Sequence, residues 1–345
     1  MHNSASGHAS RISPNYARLQ QRWAAGIPTL TDGGIGSELQ AMGFPPREQV
    51  DEGQRNFTWG AMALYENPDL VREMHRRYVD AGAEILLTNT FLFHRCVQLE
   101  RDGDLDVPSG TWQEMARRSV RLAREAAAQA GRPELAVVFS MMIQDGPKEE
   151  WGYNGPSYAR GTRDWEARMS LDYLRELCAA LESEPPDALL VELAPPLAGD
   201  QFEEFKVLIA SGFPLWVAYR RTVGGPVQIF GDPDTPDGDA FGHAAEEMER
   251  IGVSALLVHC LPAEDAHGVA PWLREFTSLP LGVYPNNGRY DMWEWRWEHD
   301  HTPAEMAEHA RGYAEEGMQI IGGCCGTRPE HIAAMAAALY QPVEL

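Results

Sequence analysis

Glu316-Gly317-Met318-Gln319-Ile320-Ile321-Gly322-Gly323-Cys324-Cys325-Gly326-Thr327 is the stretch on which the architecture turns. A helical pattern stops at Gly317, a residue type that takes the left-handed backbone ending many helices. A short apolar run follows, and a pair of cysteines bracketed by glycines comes directly after it. Helix, glycine, buried run and polar loop together make one βα repeat, and the same pattern recurs upstream. Apolar runs lie at Thr29 to Asp32, Glu84 to Thr88, Ala136 to Met141, Ala188 to Glu192, Leu215 to Tyr219, Ala255 to Cys260, Leu281 to Tyr284 and Met318 to Gly322. Longer amphipathic helical stretches separate them, as in folds built on a parallel sheet. Eight units close a parallel barrel, so the sequence predicts the α/β class and a single (β/α)8 TIM barrel over residues 28–345. Residues 1–27 form a lead-in segment whose Tyr16, Leu19 and Trp23 repeat at helical spacing.

A chain of 345 residues with 44% hydrophobic and 23% charged residues can bury one large core. Lys and Arg number 29 against 51 Asp and Glu, a net charge of −22. Such a field repels phosphate backbones and anionic membrane surfaces, which argues against nucleic acid or membrane as partner. A well-hydrated surface accounts for most of that acidity; attraction of a cationic small molecule is a secondary consequence. No apolar run is long enough for a signal peptide or a membrane span, so a cytoplasmic protein is expected, as a monomer or small homo-oligomer. The five cysteines are odd in number and two are adjacent. That is a poor basis for a disulfide framework and a better one for metal binding or catalysis.

Polar and reactive residues stand at the carboxyl ends of the runs: Asp32, Asn89, Glu192, Cys260, Asn286 and, just past the last, Cys324 and Cys325. In a barrel these ends converge on the face where active sites are built. Glycines beside Cys324 and Cys325 let the backbone turn sharply enough for both sulfurs to meet one ion, with Cys260 from the sixth run as the third. Three thiolates leave a fourth tetrahedral position open, as catalytic zinc requires. Zinc with three thiolates carries a charge of −1, so a fourth thiol loses its proton there yet stays electron-rich. A redox disulfide, buried small residues and a structural metal are the weaker accounts of the pair. Cys96 and Cys178 fall on helical stretches and read as buried residues.

At this point the chain resembles the homocysteine S-methyltransferase family, the zinc barrel shared with betaine-homocysteine methyltransferase and the homocysteine half of cobalamin-dependent methionine synthase. The likeness runs from about Pro28 to Leu339. It rests on Thr31-Asp32-Gly33-Gly34-Ile35-Gly36-Ser37-Glu38-Leu39, on Ala81-Gly82-Ala83-Glu84-Ile85 through Thr90-Phe91, on Glu192, Cys260, Val283-Tyr284-Pro285-Asn286 with Tyr290-Asp291, and most specifically on Gly322 to Thr327. It implies Zn2+ on Cys260, Cys324 and Cys325, and a homocysteine pocket containing Asp32, Gly33, Gly34 and Glu192. An amino-acid ammonium wants carboxylate partners, and glycine amides can approach its carboxylate. The implied reaction moves a methyl group from a cationic donor to the homocysteine thiol, giving methionine. S-methylmethionine or S-adenosylmethionine is favoured over betaine, because the chain stops soon after its last helix. A different thiol, selenol, sulfonium or betaine-type partner is the alternative, and a non-catalytic zinc-binding or redox-sensing protein the third.

The chain departs from the family pattern in places. His259 stands where the family usually has Asn before the first zinc cysteine, and strand alternation predicts that it points away from the metal. The fourth run ends Val191-Glu192-Leu193-Ala194-Pro195-Pro196, where relatives more often show a Phe-Glu-Thr type of ending, and the third continues Met141-Met142-Ile143-Gln144 in place of a glycine-rich loop. Trp293, Trp295 and Trp297 form an aromatic cluster that could face a cationic donor, although packing explains such clusters more often. His299-Asp300-His301 is a weak metal-ligand pattern. Thr222 to Asp239 has the length of a lid or of an irregular surface loop. Asp265-Ala266-His267-Gly268 superficially resembles a cobalamin-binding loop, but a bound corrinoid is not expected. Dinucleotide, P-loop and HExxH fingerprints are lacking.

Overall fold

The computed structural model describes residues 11–44, 60–145, 167–168, 171–192, 202–220, 240–291, 296–298 and 300–340. Its barrel strands are β1 (Thr29–Leu30), β2 (Ile85–Leu87), β3 (Ala136–Met141), β4 (Ala188–Val191), β5 (Leu215–Arg220), β6 (Ala255–Pro262), β7 (Leu281–Asn286) and β8 (Ile320–Ile321). All neighbouring pairs are parallel, in sequence order from β2 round to β8 and on to β1. A parallel bridge between Thr31 and Ile85 joins β1 to β2 and closes the ring. Each strand coincides with one of the eight runs, so the predicted (β/α)8 barrel is the observed fold.

Two apolar layers hold it. Leu86, Val137, Phe139, Leu189, Val217, Leu256, Val283 and Ile321 face outward against the helices. Ile85, Leu87, Val138, Leu190, Trp216, Ala218, Leu257, Tyr284 and Ile320 fill the interior. Both faces of every strand are buried, which is why the runs read as continuously apolar rather than alternating. Each large side chain fully buried contributes roughly 1.5–3 kcal/mol.

Helix α1 (Pro14–Ala24) starts on Ser13, whose hydroxyl accepts the Tyr16 N–H, with Pro14 in the first turn where no N–H is needed. Its Tyr16, Leu19 and Trp23 join the interior layer. Trp23 Nε1 donates to Thr29 Oγ1 at 2.9 Å and Trp216 Nε1 donates to the Tyr16 hydroxyl at 3.1 Å. The lead-in helix therefore plugs the barrel at the amino-terminal end of the strands. Gly82 and Gly317, with φ of 102° and 98°, end the helices before β2 and β8 as their sequence context predicts. Among the described residues no helix is long and apolar enough to cross a membrane.

Candidate active site

Along β6, Ala255 and Leu257 point into the barrel and Leu256 and Val258 out of it. His259 continues the inward series, fully buried, with its ring 4.9 Å from that of Tyr284. Strict alternation would then send Cys260 outward. Instead Cys260 takes φ = 52°, the one positive value outside glycine among the described residues, and the pairing with β7 slips between His259 and Pro262. This bulge returns the Cys260 sulfur to the mouth. A left-handed residue other than glycine costs about 1–2 kcal/mol, the kind of strain that collects at functional positions.

The loop after β8 meets that sulfur. Gly323 N–H donates to Asp32 O at 3.1 Å, Cys324 N–H to Pro285 O at 2.6 Å, Asn287 N–H to Cys325 O at 2.9 Å and Gly326 N–H to Ser37 Oγ at 3.0 Å. Backbone bonds to β1 and β7 thus set both cysteines without relying on their side chains. The Cys260 and Cys324 sulfurs lie 3.0 Å apart, and each is 3.9 Å from the Cys325 sulfur. A tetrahedral ion with Zn–S bonds of about 2.3 Å has sulfur–sulfur edges of about 3.8 Å. Two of the three edges match, and the third needs to open by less than an ångström, so the cluster fits such an ion.

The electrostatics agree with that fit. The Cys260 and Cys325 thiols beside it, together with burial, push the Cys324 thiol well above its ordinary pKa. Cys260 is also raised: Cys324 pulls its pKa down, but Cys325 and burial outweigh that pull. A divalent cation among the sulfurs removes the repulsion.

The expectation that His259 points away from the metal position is overturned. Ligand atoms of His259, Cys260 and Cys324 lie within 4.8 Å of one another. Cys260 is the residue that breaks the alternation, so parity counted back from it is reversed. Two donor sets therefore overlap, the three thiols and a His-Cys-Cys set. His259 Nδ1 lies 3.3 Å from Glu192 Oε2, the kind of carboxylate contact that metal-binding imidazoles also make, so the geometry admits both sets. Burial alone would lower the imidazole pKa, but contacts with the Cys260 sulfur and the Glu192 carboxylate hold it up at about 9.

Asp32 and Glu192 share this end of the barrel. Asp32 is fully buried; its Oδ2 accepts the Leu87 N–H at 2.8 Å and its Oδ1 has no hydrogen-bond partner. Burial pushes its pKa well up, against the Leu87 hydrogen bond, and the Glu192 charge adds to the rise. Asp32 does not cap the following helix α2 (Ile35–Ala41), whose N-cap is Gly34. Ser140, the one polar residue in β3, donates its hydroxyl to Glu192 Oε1. Two nearby carboxyls, one with an unbonded buried oxygen, make a place for a cation such as an ammonium.

Gly33 and Gly34 serve the cysteine loop directly. Gly34 N–H donates to Thr327 O at 2.8 Å, so that amide is committed within the protein and not open to a substrate carboxylate. A side chain at Gly34 would stand 2.6 Å from Cys324 O, and one at Gly33 would collide with Thr327 O. The sequence had not marked His259, Ser140 or Tyr284 as site residues. A lone serine within an otherwise apolar run was the available signal for Ser140; His259 stood out as a departure from the family pattern and Tyr284 within the Val283 to Asn286 motif, but nothing in those apolar runs set their direction. Trp293 and Trp295, Leu193 to Pro196, and the Thr222 to Asp239 segment lie outside the described residues, as does the side chain of Trp297.

Comparison with known proteins agrees with this geometry. The family model described as homocysteine S-methyltransferase matches residues 29–339. The chain is 29% identical over 315 residues to the homocysteine S-methyltransferase of Escherichia coli, covering 89% of this chain and 94% of that one. It is 25% identical to a selenocysteine methyltransferase of Astragalus bisulcatus, covering 89% and 91%. Among solved structures it is similar to the homocysteine methyltransferase MmuM of Escherichia coli in its metallated form, at TM-score 0.66 and 25% identity, covering 94% of this chain and 99% of that one.

Proposed function

The chain belongs to the homocysteine S-methyltransferase family, and from that premise we propose that this methyltransferase moves a methyl group from a sulfonium donor to the thiol of homocysteine, with zinc held by Cys260, Cys324 and Cys325. The observation that carries the proposal is the convergence of three sulfurs from β6 and the β8 loop within 3.9 Å of one another. Zinc bound there supplies Lewis acidity that lets a fourth thiol lose its proton near neutral pH.

The chain's own residues supply orientation. Asp32 and Glu192 receive the amino-acid ammonium, and Ser140 and His259 keep Glu192 turned toward it. Water is kept from below by the filled interior, with Tyr284 and Trp216 beneath the site. The acceptor sulfur forms its bond to the methyl carbon as the donor's sulfur–carbon bond breaks, and the bonding pair returns to the donor sulfur. S-methylmethionine or S-adenosylmethionine fits the acidic mouth better than a neutral donor. A selenol acceptor is the second reading, favoured by the likeness to the selenocysteine methyltransferase.

Zinc content and methyl transfer from each sulfonium to homocysteine, in the wild type, Cys325→Ser and His259→Asn, test this. Cys325→Ser is expected to lose one equivalent of zinc and to slow transfer on the order of a hundredfold or more, about 2.7 kcal/mol. His259→Asn is expected to keep that equivalent. The reverse pattern would replace the three-thiol set with the His-Cys-Cys set. A Cys325→Ser protein with full zinc and full rate would end the proposal.

A further inference from the structure

A second convergence of ligating side chains lies outside the sulfur cluster, on the outer side of the β6 and β8 units. After β6 the chain makes a short 3-10 turn, Ala263–Ala266, which carries Glu264. His301 immediately precedes Thr302, the N-cap of the helix Pro303–Glu315, and His309 lies on that helix. Ligand atoms of Glu264, His301 and His309 all fall within 4.8 Å of one another. We propose that these three residues form a second divalent-metal site of the zinc class, independent of the sulfur site and of the reaction.

Glu264 is an exposed carboxylate, 59% accessible, and the two histidines are partly buried; three features set the cluster apart from ordinary surface charges. First, His301 Nε2 stands 3.2 Å from Glu264 Oε1, yet it is buried and makes no hydrogen bond. Two atoms at that spacing but off the hydrogen-bond direction have the relation of neighbouring ligands; a tetrahedral centre with bonds of about 2.0–2.1 Å has edges of about 3.3 Å.

Second, an outer chain of hydrogen bonds orients His309. Glu316 Oε1 lies 2.7 Å from His267 Nδ1, and His267 Nε2 lies 2.9 Å from His309 Nδ1. With His267 Nδ1–H donating to the carboxylate, His267 Nε2 is the acceptor and His309 Nδ1–H the donor. This assignment follows from the network and leaves the His309 Nε2 lone pair free for an ion, as outer carboxylates do for metal-binding imidazoles.

Third, the surroundings are shaped to this arrangement. Gly312 lets the His267 ring lie flush on the Pro303–Glu315 helix, since a Cβ there would stand 2.8 Å from His267 Cε1. The Tyr313 hydroxyl donates to Ala263 O at 2.6 Å and fixes the Glu264 turn against the same helix. Two imidazoles and one carboxylate form a borderline donor set that suits zinc better than calcium or magnesium. Asp300 is exposed and takes no part, so His301 finds its partners across the fold and not within its own sequence motif. An ion here would tie the β6 loop to the Pro303–Glu315 helix. His331 Nε2 donates to His301 O at 3.1 Å, which also links this segment to the chain just past Cys325.

Zinc stoichiometry by mass spectrometry, with cobalt(II) substitution, tests the site. The wild type is expected to bind two zinc ions per chain, and the His301→Ala/His309→Ala double variant one, with methyl transfer retained. The Cys324→Ser/Cys325→Ser variant is expected to retain one cobalt ion showing weak visible bands and no thiolate charge-transfer absorption. His267→Gln, which leaves all three ligands in place, is expected to weaken the second ion by about 10–100-fold. A wild type binding a single ion, or a cysteine double variant binding none, would overturn the second site while leaving the sulfur site untouched. Equal second-ion affinity in His267→Gln and wild type would remove the oriented relay on which it rests.

Discussion

Gly34 shows how much of the site depends on a missing side chain. Its Cα lies where the loops after β1 and β8 cross, and an added methyl would press on Cys324 O at 2.6 Å and Gly326 N at 3.2 Å. Both are backbone atoms held by their own hydrogen bonds, so they cannot step aside cheaply. Gly34→Ala should cost about 1–3 kcal/mol, the usual range for overpacking a tight site, and should shift the two cysteines. Urea unfolding and zinc content measure both effects, and a variant equal to wild type in each would show that the loop adapts freely. The glycines around Cys324 and Cys325 were legible as a turn in the sequence, and so was the candidate ligand trio. The direction of His259 was not. Parity along a strand buried on both faces leaves no polar alternation to count, and the bulge at Cys260 is a backbone event with no residue signature.

At the scale of elements, α1 is the clearest case of a segment whose existence was readable and whose task was not. Tyr16, Leu19 and Trp23 repeat at helical spacing, which predicts a helix with one apolar face. Only the fold shows that this face closes the barrel floor, where the Trp23 ring lies 5.9 Å from Tyr16 and 6.0 Å from Trp216. Trp23→Ala removes these contacts and the hydrogen bond to Thr29. A loss of about 3–5 kcal/mol is expected, as for other buried tryptophans, with the methyl-transfer rate preserved under conditions where the protein stays folded. Denaturant titration and a rate measurement at one temperature separate the two. A variant that unfolds normally but loses the rate would mean that the floor acts on the mouth.

At the scale of the whole molecule, the buried groups His75 and Asp32 respond to pH in opposite directions. His75, on the helix Pro68–Asp80, is fully buried, neither ring nitrogen has a partner, and burial alone lowers its pKa from 6.5 to about 3. The unfolded chain therefore binds the extra proton between those values, so stability is full above pH 6.5 and falls as the pH drops toward 3. Asp32 works the other way. Its folded pKa is raised, so its contribution is full below its ordinary 3.8 and is lost as pH rises through the folded value. Comparing His75→Leu with wild type at two pH values cancels the Asp32 contribution, which both proteins share. The variant should gain about 2 kcal/mol more relative to wild type at pH 5 than at pH 8, from 1.36 kcal/mol per pK unit. Urea titrations at both values measure it, and an equal difference at pH 5 and pH 8 would show that His75 is solvated or paired in solution.

Eight buried runs, their glycine stops and the cysteines at their ends follow from the sequence alone, because turn chemistry and apolar periodicity are local properties of a chain. The barrel, the lead-in helix and three candidate metal-binding sulfurs were therefore predictable before any coordinates. What tertiary structure decided was direction and company. The left-handed backbone at Cys260 turned its sulfur to the mouth beside the inward-facing His259, Thr327 took up the Gly34 amide, Ser140 joined Glu192, and His301 met Glu264 and His309. Apart from the short step from His301 to His309, each is a contact between residues far apart in the chain or a local strain that only packing sustains, and neither is encoded in the pattern of neighbouring residues.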